Sequence, residues 1–99
     1  MGAFEQLVLF AILRQDNEAY GMEVREEIEK RTGRTVSYGA VYTALGRLER
    51  KALVFHTLGE ATPERGGRAK KYFSVTAAGR AELRANQTAL LTMSKDVTL

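Results

Sequence analysis

Ser37-Tyr-Gly-Ala-Val-Tyr-Thr-Ala-Leu-Gly-Arg-Leu-Glu-Arg-Lys51 is the stretch that decides how this chain folds. Val41, Leu45 and Leu48 recur at helical spacing and share one face. Tyr38, Gly39, Tyr42, Thr43, Arg47 and Arg50 fall largely on the opposite side. Ser37 is a good N-cap, because its hydroxyl can accept from the amide of Gly39 or Ala40. Val36 and Val41 are spaced to form a hydrophobic staple across that cap. The stretch therefore predicts one amphipathic helix with an apolar inner face and a basic, hydroxyl-bearing outer face. Phenols, a threonine and two guanidinium groups on one surface suit contacts with phosphates and base edges. Gly39 and Gly46 each cost such a helix roughly 1 kcal/mol. Near the N-terminus, Gly39 would allow a close backbone approach; the alternative is that it only relaxes the first turn.

Immediately downstream, Leu53 to Leu58 and Lys70 to Val75 read as the two strands of a hairpin. Gly59 to Ala69 between them is too long for a tight turn and holds Gly and Pro. Gly66-Gly67 between Arg65 and Arg68 gives that loop a flexible cationic tip, suited to a minor groove or a line of phosphates. The bland alternative is an ordinary surface loop, and its adjacency to the basic helix favours the functional reading. Helix and hairpin together predict a winged helix-turn-helix gripping double-stranded DNA.

The preceding segment reads as a platform. Phe4, Leu7, Val8, Ala11 and Ile12 predict helix 1 over about Ala3 to Arg14, and Leu9, Phe10 and Leu13 widen its stripe enough to bury it. Asp16 and Asn17 break it. Tyr20 is expected to open helix 2, with Val24 and Ile28 one and two turns on. Glu26–Lys30 and Glu27–Arg31 are acid-before-base pairs suited to an exposed face, and Gly33 is a natural stop. Thr32 to Val36 is the turn. Thr76 is a plausible N-cap for helix 4, from Ala77 to about Thr92, whose small residues permit close helix approach. Leu83, Leu90, Leu91 and Met93 supply apolar area. Residues 1–76 thus read as the winged unit and 77–99 as a dimerisation helix with a frayed tail; the alternative is a helix folded back on its own domain. The fold class is mostly α with a small β-hairpin.

Charge supports this division. Residues 1–30 carry three cationic and seven anionic side chains, net −4; residues 31–71 carry nine and three, net +6; residues 72–99 carry three and two, net +1. A basic middle beside an acidic flank points to a polyanion-binding face. Ninety-nine residues make one small domain with a modest core, and with no cysteines there is no disulfide framework to reinforce it. Dimerisation is the obvious further source of burial. The longest apolar run, Leu7 to Leu13, is far short of the about 20 residues a membrane span needs. It lacks the flanks of a secretory signal, and Gln6 breaks the myristoylation pattern. The expectation is a cytoplasmic protein without a membrane partner. His56, the single histidine, reads as a strand surface residue. Neither Ser37 nor Ser74 has a constructible His/Asp partnership, and the glycine-rich loop lacks a P-loop ending. The glutamates at 23, 26, 27 and 29 have positive neighbours and no completing ligand set. No enzyme activity, metal or cofactor is expected.

Several motifs, in order, resemble the PadR-like transcriptional regulators: Phe4-Glu5 with Leu7-Val8-Leu9, Tyr20-Gly21-Met22-Glu23, Ser37 to Tyr42 with Leu45 and Leu48-Glu49, then Gly66-Gly67-Arg68 to Lys71-Tyr72-Phe73 with Thr76 and Gly79. The resemblance spans about Phe4 to Leu83. It implies a bacterial winged-helix repressor that binds a pseudo-palindromic operator as a homodimer. Pairing would run through the C-terminal helix (Leu83, Leu90, Leu91, Met93), with helix 1 contributing Phe4 and Leu7. By the same resemblance Tyr42 touches the phosphate backbone, Ser37, Tyr38 and Gly39 sit at the major groove, and Gly67, Arg68 and Lys70 meet the minor groove. Two departures stand out. Ala52 occupies a position where the family usually has Gly, and the chain ends soon after helix 4, as in a short-tailed subgroup. Some relatives bind flat drugs through a tryptophan at the dimer centre; this chain has no Trp, so a small-molecule effector stays unknown. A winged-helix module that pairs with protein instead of DNA is one rival reading, and a ligand-sensing regulator with its pocket between the dimerisation helices is a second.

Overall fold

A computed structural model describes residues 1–59 and 70–99. The described elements are α1 (Ala3–Arg14), α2 (Gly21–Thr32), α3 (Tyr38–Arg50), β1 (Val54–Leu58), β2 (Lys71–Val75) and α4 (Ala77–Ser94). The three N-terminal helices meet over a core whose fully buried members include Val8, Leu9, Ile12, Val24, Val41, Leu45 and Leu48. These are the residues the helical periodicities point inward.

Each helix end has a local cause. Glu5 reaches back to the amide of Gly2, 3.2 Å away, at the start of α1. Asp16 and Asn17 end that helix with φ of 57° and 59°, a left-handed region that their short polar side chains tolerate. Helix α2 begins one residue later than expected. Tyr20 is extended and serves as its cap (φ −93°, ψ 166°), with the Glu23 side chain accepting from the Tyr20 amide at 3.1 Å. Gly33 stops α2 with φ 70°, where a glycine carries no β-carbon penalty. The turn to α3 is pinned from α2: Glu29 accepts from the Val36 amide and Arg25 donates to the Val36 carbonyl, each at 2.8 Å. Ser37 then caps α3 by accepting from Ala40, 3.1 Å away.

The chain leaves α3 through Ala52, whose φ is 59°. Leu53 donates back to the Leu48 carbonyl at 2.9 Å, and β1 starts at Val54, one residue after the expected start. Strand β2 starts at Lys71 rather than Lys70 and pairs antiparallel with β1, Val54 opposite Val75 and Leu58 opposite Lys71. On its other edge β2 is held by the α1–α2 turn. Ala19 and Phe73 exchange both backbone hydrogen bonds, at 3.1 and 2.7 Å. Asn17 brackets Val75, donating to its carbonyl at 3.3 Å and accepting from its amide at 2.7 Å. Phe73 and Val75 thereby face the core.

Thr76 caps α4 by accepting from Gly79 at 3.0 Å, and its own hydroxyl donates to the Ala52 carbonyl at 2.8 Å. Gly79 is buried so tightly that a β-carbon there would collide with the Leu53 carbonyl oxygen. Leu83 is 3 % exposed and completes the core. Beyond it α4 leaves the domain, with Leu90, Leu91 and Met93 exposed at 62, 65 and 77 %.

Candidate nucleic-acid interface

The outer face of α3 is laid out as its spacing dictates. Tyr38, Gly39, Tyr42, Thr43, Arg47 and Arg50 are all exposed, while Val41, Ala44, Leu45 and Leu48 hold the helix down. Tyr38 and Tyr42 lie edge to face, with ring centroids 4.7 Å apart. Partial desolvation of its otherwise exposed phenol, and then the adjoining Tyr42 phenol, pushes the Tyr38 hydroxyl up to about 12. It therefore stays a neutral donor at physiological pH. Ser37 spends its acceptor on the cap. Among the described residues a β-carbon at Gly39 would meet nothing within 4 Å, so none of them requires glycine there.

The electrostatics favour an anion on this face. Among the described residues neither Arg47 nor Arg50 is paired with an acid, whereas Arg25, Arg31 and Lys51 are paired with Glu29, Glu27 and Glu5. Glu49, the single acid of α3, is drawn to the Nδ1 of His56 on β1. That pair ties the wing strand to the helix and makes His56 a half-buried partner, where the sequence suggests a plain surface residue. Glu27 of α2 is held below the usual carboxylate range by its hydrogen bond to Arg31, at 2.5 Å.

Lys70 stands at the base of the wing with its Nζ 3.8 Å from the centre of the Tyr20 ring. The Tyr72 ring lies near-perpendicular to the same ring, with centroids 5.8 Å apart. Gly67 and Arg68 lie outside the described residues. Of the side chains expected at a dimer contact, Leu83 is buried in the chain's own core and offers no free surface. Phe4 and Leu7 are half-buried against that core, and Leu90, Leu91 and Met93 are open. Sequence reasoning misses Tyr20, Tyr72, Glu49 and His56 as interface supports. Two tyrosines flanking the strand and turn are the one signal that bears on them.

A three-helix unit carrying a β-hairpin next to its third helix is a winged helix. Solved structures agree. The winged-helix DNA-binding protein of STIV superposes with a TM-score of 0.77 at 17% identity, covering 99% of this chain and 98% of that one. A PadR-like transcriptional regulator from Bacillus cereus gives 0.75 at 27% identity, covering 94% and 85%. A PadR family transcription regulator from hypervirulent Clostridium difficile gives 0.78 at 22% identity, covering 95% and 93%. No curated protein sequence matches the chain. The transcriptional regulator PadR-like family model matches residues 9–85, and the chain belongs to that family.

Proposed function

We propose that the chain is a sequence-specific DNA-binding transcriptional regulator, acting as a homodimeric repressor at a pseudo-palindromic operator. The observation that carries this is the outer face of α3, where exposed phenols, a threonine and two arginines that pair with no acid among the described residues share one surface beside the wing. Arg47, Arg50, Tyr42, Arg68 and Lys70 would bind phosphates, which supply most of the affinity. Tyr38 and Thr43 would contribute to base recognition, with Ser37 and Gly39 allowing close approach at the groove. Leu90, Leu91 and Met93, left open by this chain, would cover a second copy with help from Phe4 and Leu7. Two α3 helices would then enter successive major grooves roughly 34–36 Å apart.

Fluorescence anisotropy with genomic fragments, titrated from low to physiological salt, tests this. Tight binding to one fragment that survives physiological salt is expected. Arg68→Ala should weaken binding to all sequences and reduce the salt slope by about one. Weak binding to every fragment that vanishes with salt would refute specific regulation and favour a protein-pairing module.

A further inference from the structure

Three contacts converge on the Tyr20-Gly21 dipeptide. On one side the Tyr20 ring packs near-perpendicular to that of Tyr72 from β2, with planes at 80°. Above that ring sits the Lys70 ammonium, 3.8 Å from its centre. On the other side Gly21 is buried, and a β-carbon there would stand 3.3 Å from both Tyr38 Oη and Tyr42 Cε2. One residue of the dipeptide thus meets the wing and the next meets the recognition helix. The backbone beneath is fixed: Glu23 holds the Tyr20 amide, and Ala19 is paired with Phe73 in both directions.

We propose that Tyr20 is a positioning residue for nucleic-acid binding, its ring holding the Lys70 ammonium where a backbone phosphate can meet it. This rests on the DNA-binding reading above. An ammonium has three N–H donors. The ring attracts the cation through its negative face and covers one side of it, so a phosphate would meet the ammonium from another. A lysine already parked on a rigid ring loses less rotamer freedom when it binds. Tyr72 packs against the same ring, so side chains as well as the Ala19–Phe73 backbone pair join the wing strand to the α1–α2 turn.

Tyr20→Ala, Tyr20→Phe, Lys70→Ala and the Tyr20→Ala/Lys70→Ala double variant are compared on a fluorescently labelled duplex of mixed sequence, with active fractions normalised. Tyr20→Ala should weaken binding by about two- to fivefold, the factor an exposed cation–π contact supports. It should also reduce the slope of log K on log salt by about 0.9, one phosphate. Lys70→Ala should do the same, the double variant should lose no more, and Tyr20→Phe should retain both. An unchanged salt slope, tighter binding by Tyr20→Ala, or additive losses would overturn the proposal and leave Tyr20 as a fold residue. NMR of the DNA-free protein separates this from the broader reading. Ring-current shifts of the Lys70 ε-protons should be present in the wild type and Tyr20→Phe and absent in Tyr20→Ala. Their absence from the wild type overturns the contact. Their presence in a wild type that binds no DNA overturns the regulator reading, and the phosphate role with it.

Discussion

Replacing Ala52 with glycine should stabilise the protein. Ala52 has φ 59°, and holding an L-residue in that left-handed region costs roughly 1–2 kcal/mol, a cost glycine escapes. Glycine returns part of the gain by enlarging the conformational freedom of the unfolded chain, about 0.4–1 kcal/mol. The Ala52 side chain is exposed, so its methyl group surrenders little packing. The bonds that fix the turn involve main-chain atoms: the Ala52 amide donates to Glu49 at 3.0 Å and its carbonyl accepts from Thr76 at 2.8 Å. Both survive the change. From the middle of those ranges the net gain is about 0.8 kcal/mol, which for a domain of this size raises Tm by roughly 3–6 °C. Urea unfolding is the cleaner assay: the midpoint should rise at constant m. Protein concentration must be held fixed, because dimerisation would couple the midpoint to it. A lower midpoint for Ala52→Gly would refute the reasoning, since it would mean the turn gains more from the methyl group than the left-handed backbone costs.

Asn17→Ala removes both side-chain bonds to Val75 and leaves its amide without that partner, so it should cost about 2–4 kcal/mol in denaturant titration. Amide exchange at Val75 should accelerate with it. Leu83→Ala should cost about 2–5 kcal/mol as a core truncation. Leu91→Ala should instead leave unfolding of the isolated subunit within about 0.5 kcal/mol and lower the dimer fraction in sedimentation. Tyr38, raised to about 12 by burial first and its Tyr42 neighbour second, should ionise after an unperturbed phenol in an absorbance titration. Because the folded value lies above the unfolded one near 10, its contribution to stability is complete below pH 10 and is lost as pH rises through 12. With 38 % of the residue in water, the resulting loss of Tm should be small.

Much of the scaffold is legible in the chain because its signals are local. The stripe of Leu7, Val8, Ala11 and Ile12 identifies α1, whose observed bounds match the expected ones. Ser37, Thr76 and Gly33 mark helix ends through chemistry confined to one turn. Ala52 departs from the glycine that the family resemblance implies at its place, and the left-handed turn is the physical meaning of that departure. Other features depend on where separate elements come to rest. A tyrosine is an unusual cap; Glu23 supplies the hydrogen bond, so the start of α2 falls one residue late. His56 meets Glu49 only because the hairpin returns against α3. Helical spacing in α4 treats Leu83 and Leu90 alike, and tertiary packing alone assigns Leu83 to this chain's core. The face of α3 is readable from periodicity, whereas the plate formed by Tyr20, Tyr72 and Lys70 requires the wing to be in place.

The clasp between Asn17 and Val75 joins residues 58 positions apart. Contacts of such separation demand that the intervening chain be closed into a loop before they give anything back. During synthesis, which delivers the N-terminus first, the α1–α2 turn therefore waits with its partner strand missing until β2 has emerged. The unit becomes whole only once β2 has emerged and Leu83 of α4 has followed it into the core. A chain still short of β2 consequently lacks the wing strand that this turn is built to hold, and the turn closes only after Val75 has emerged.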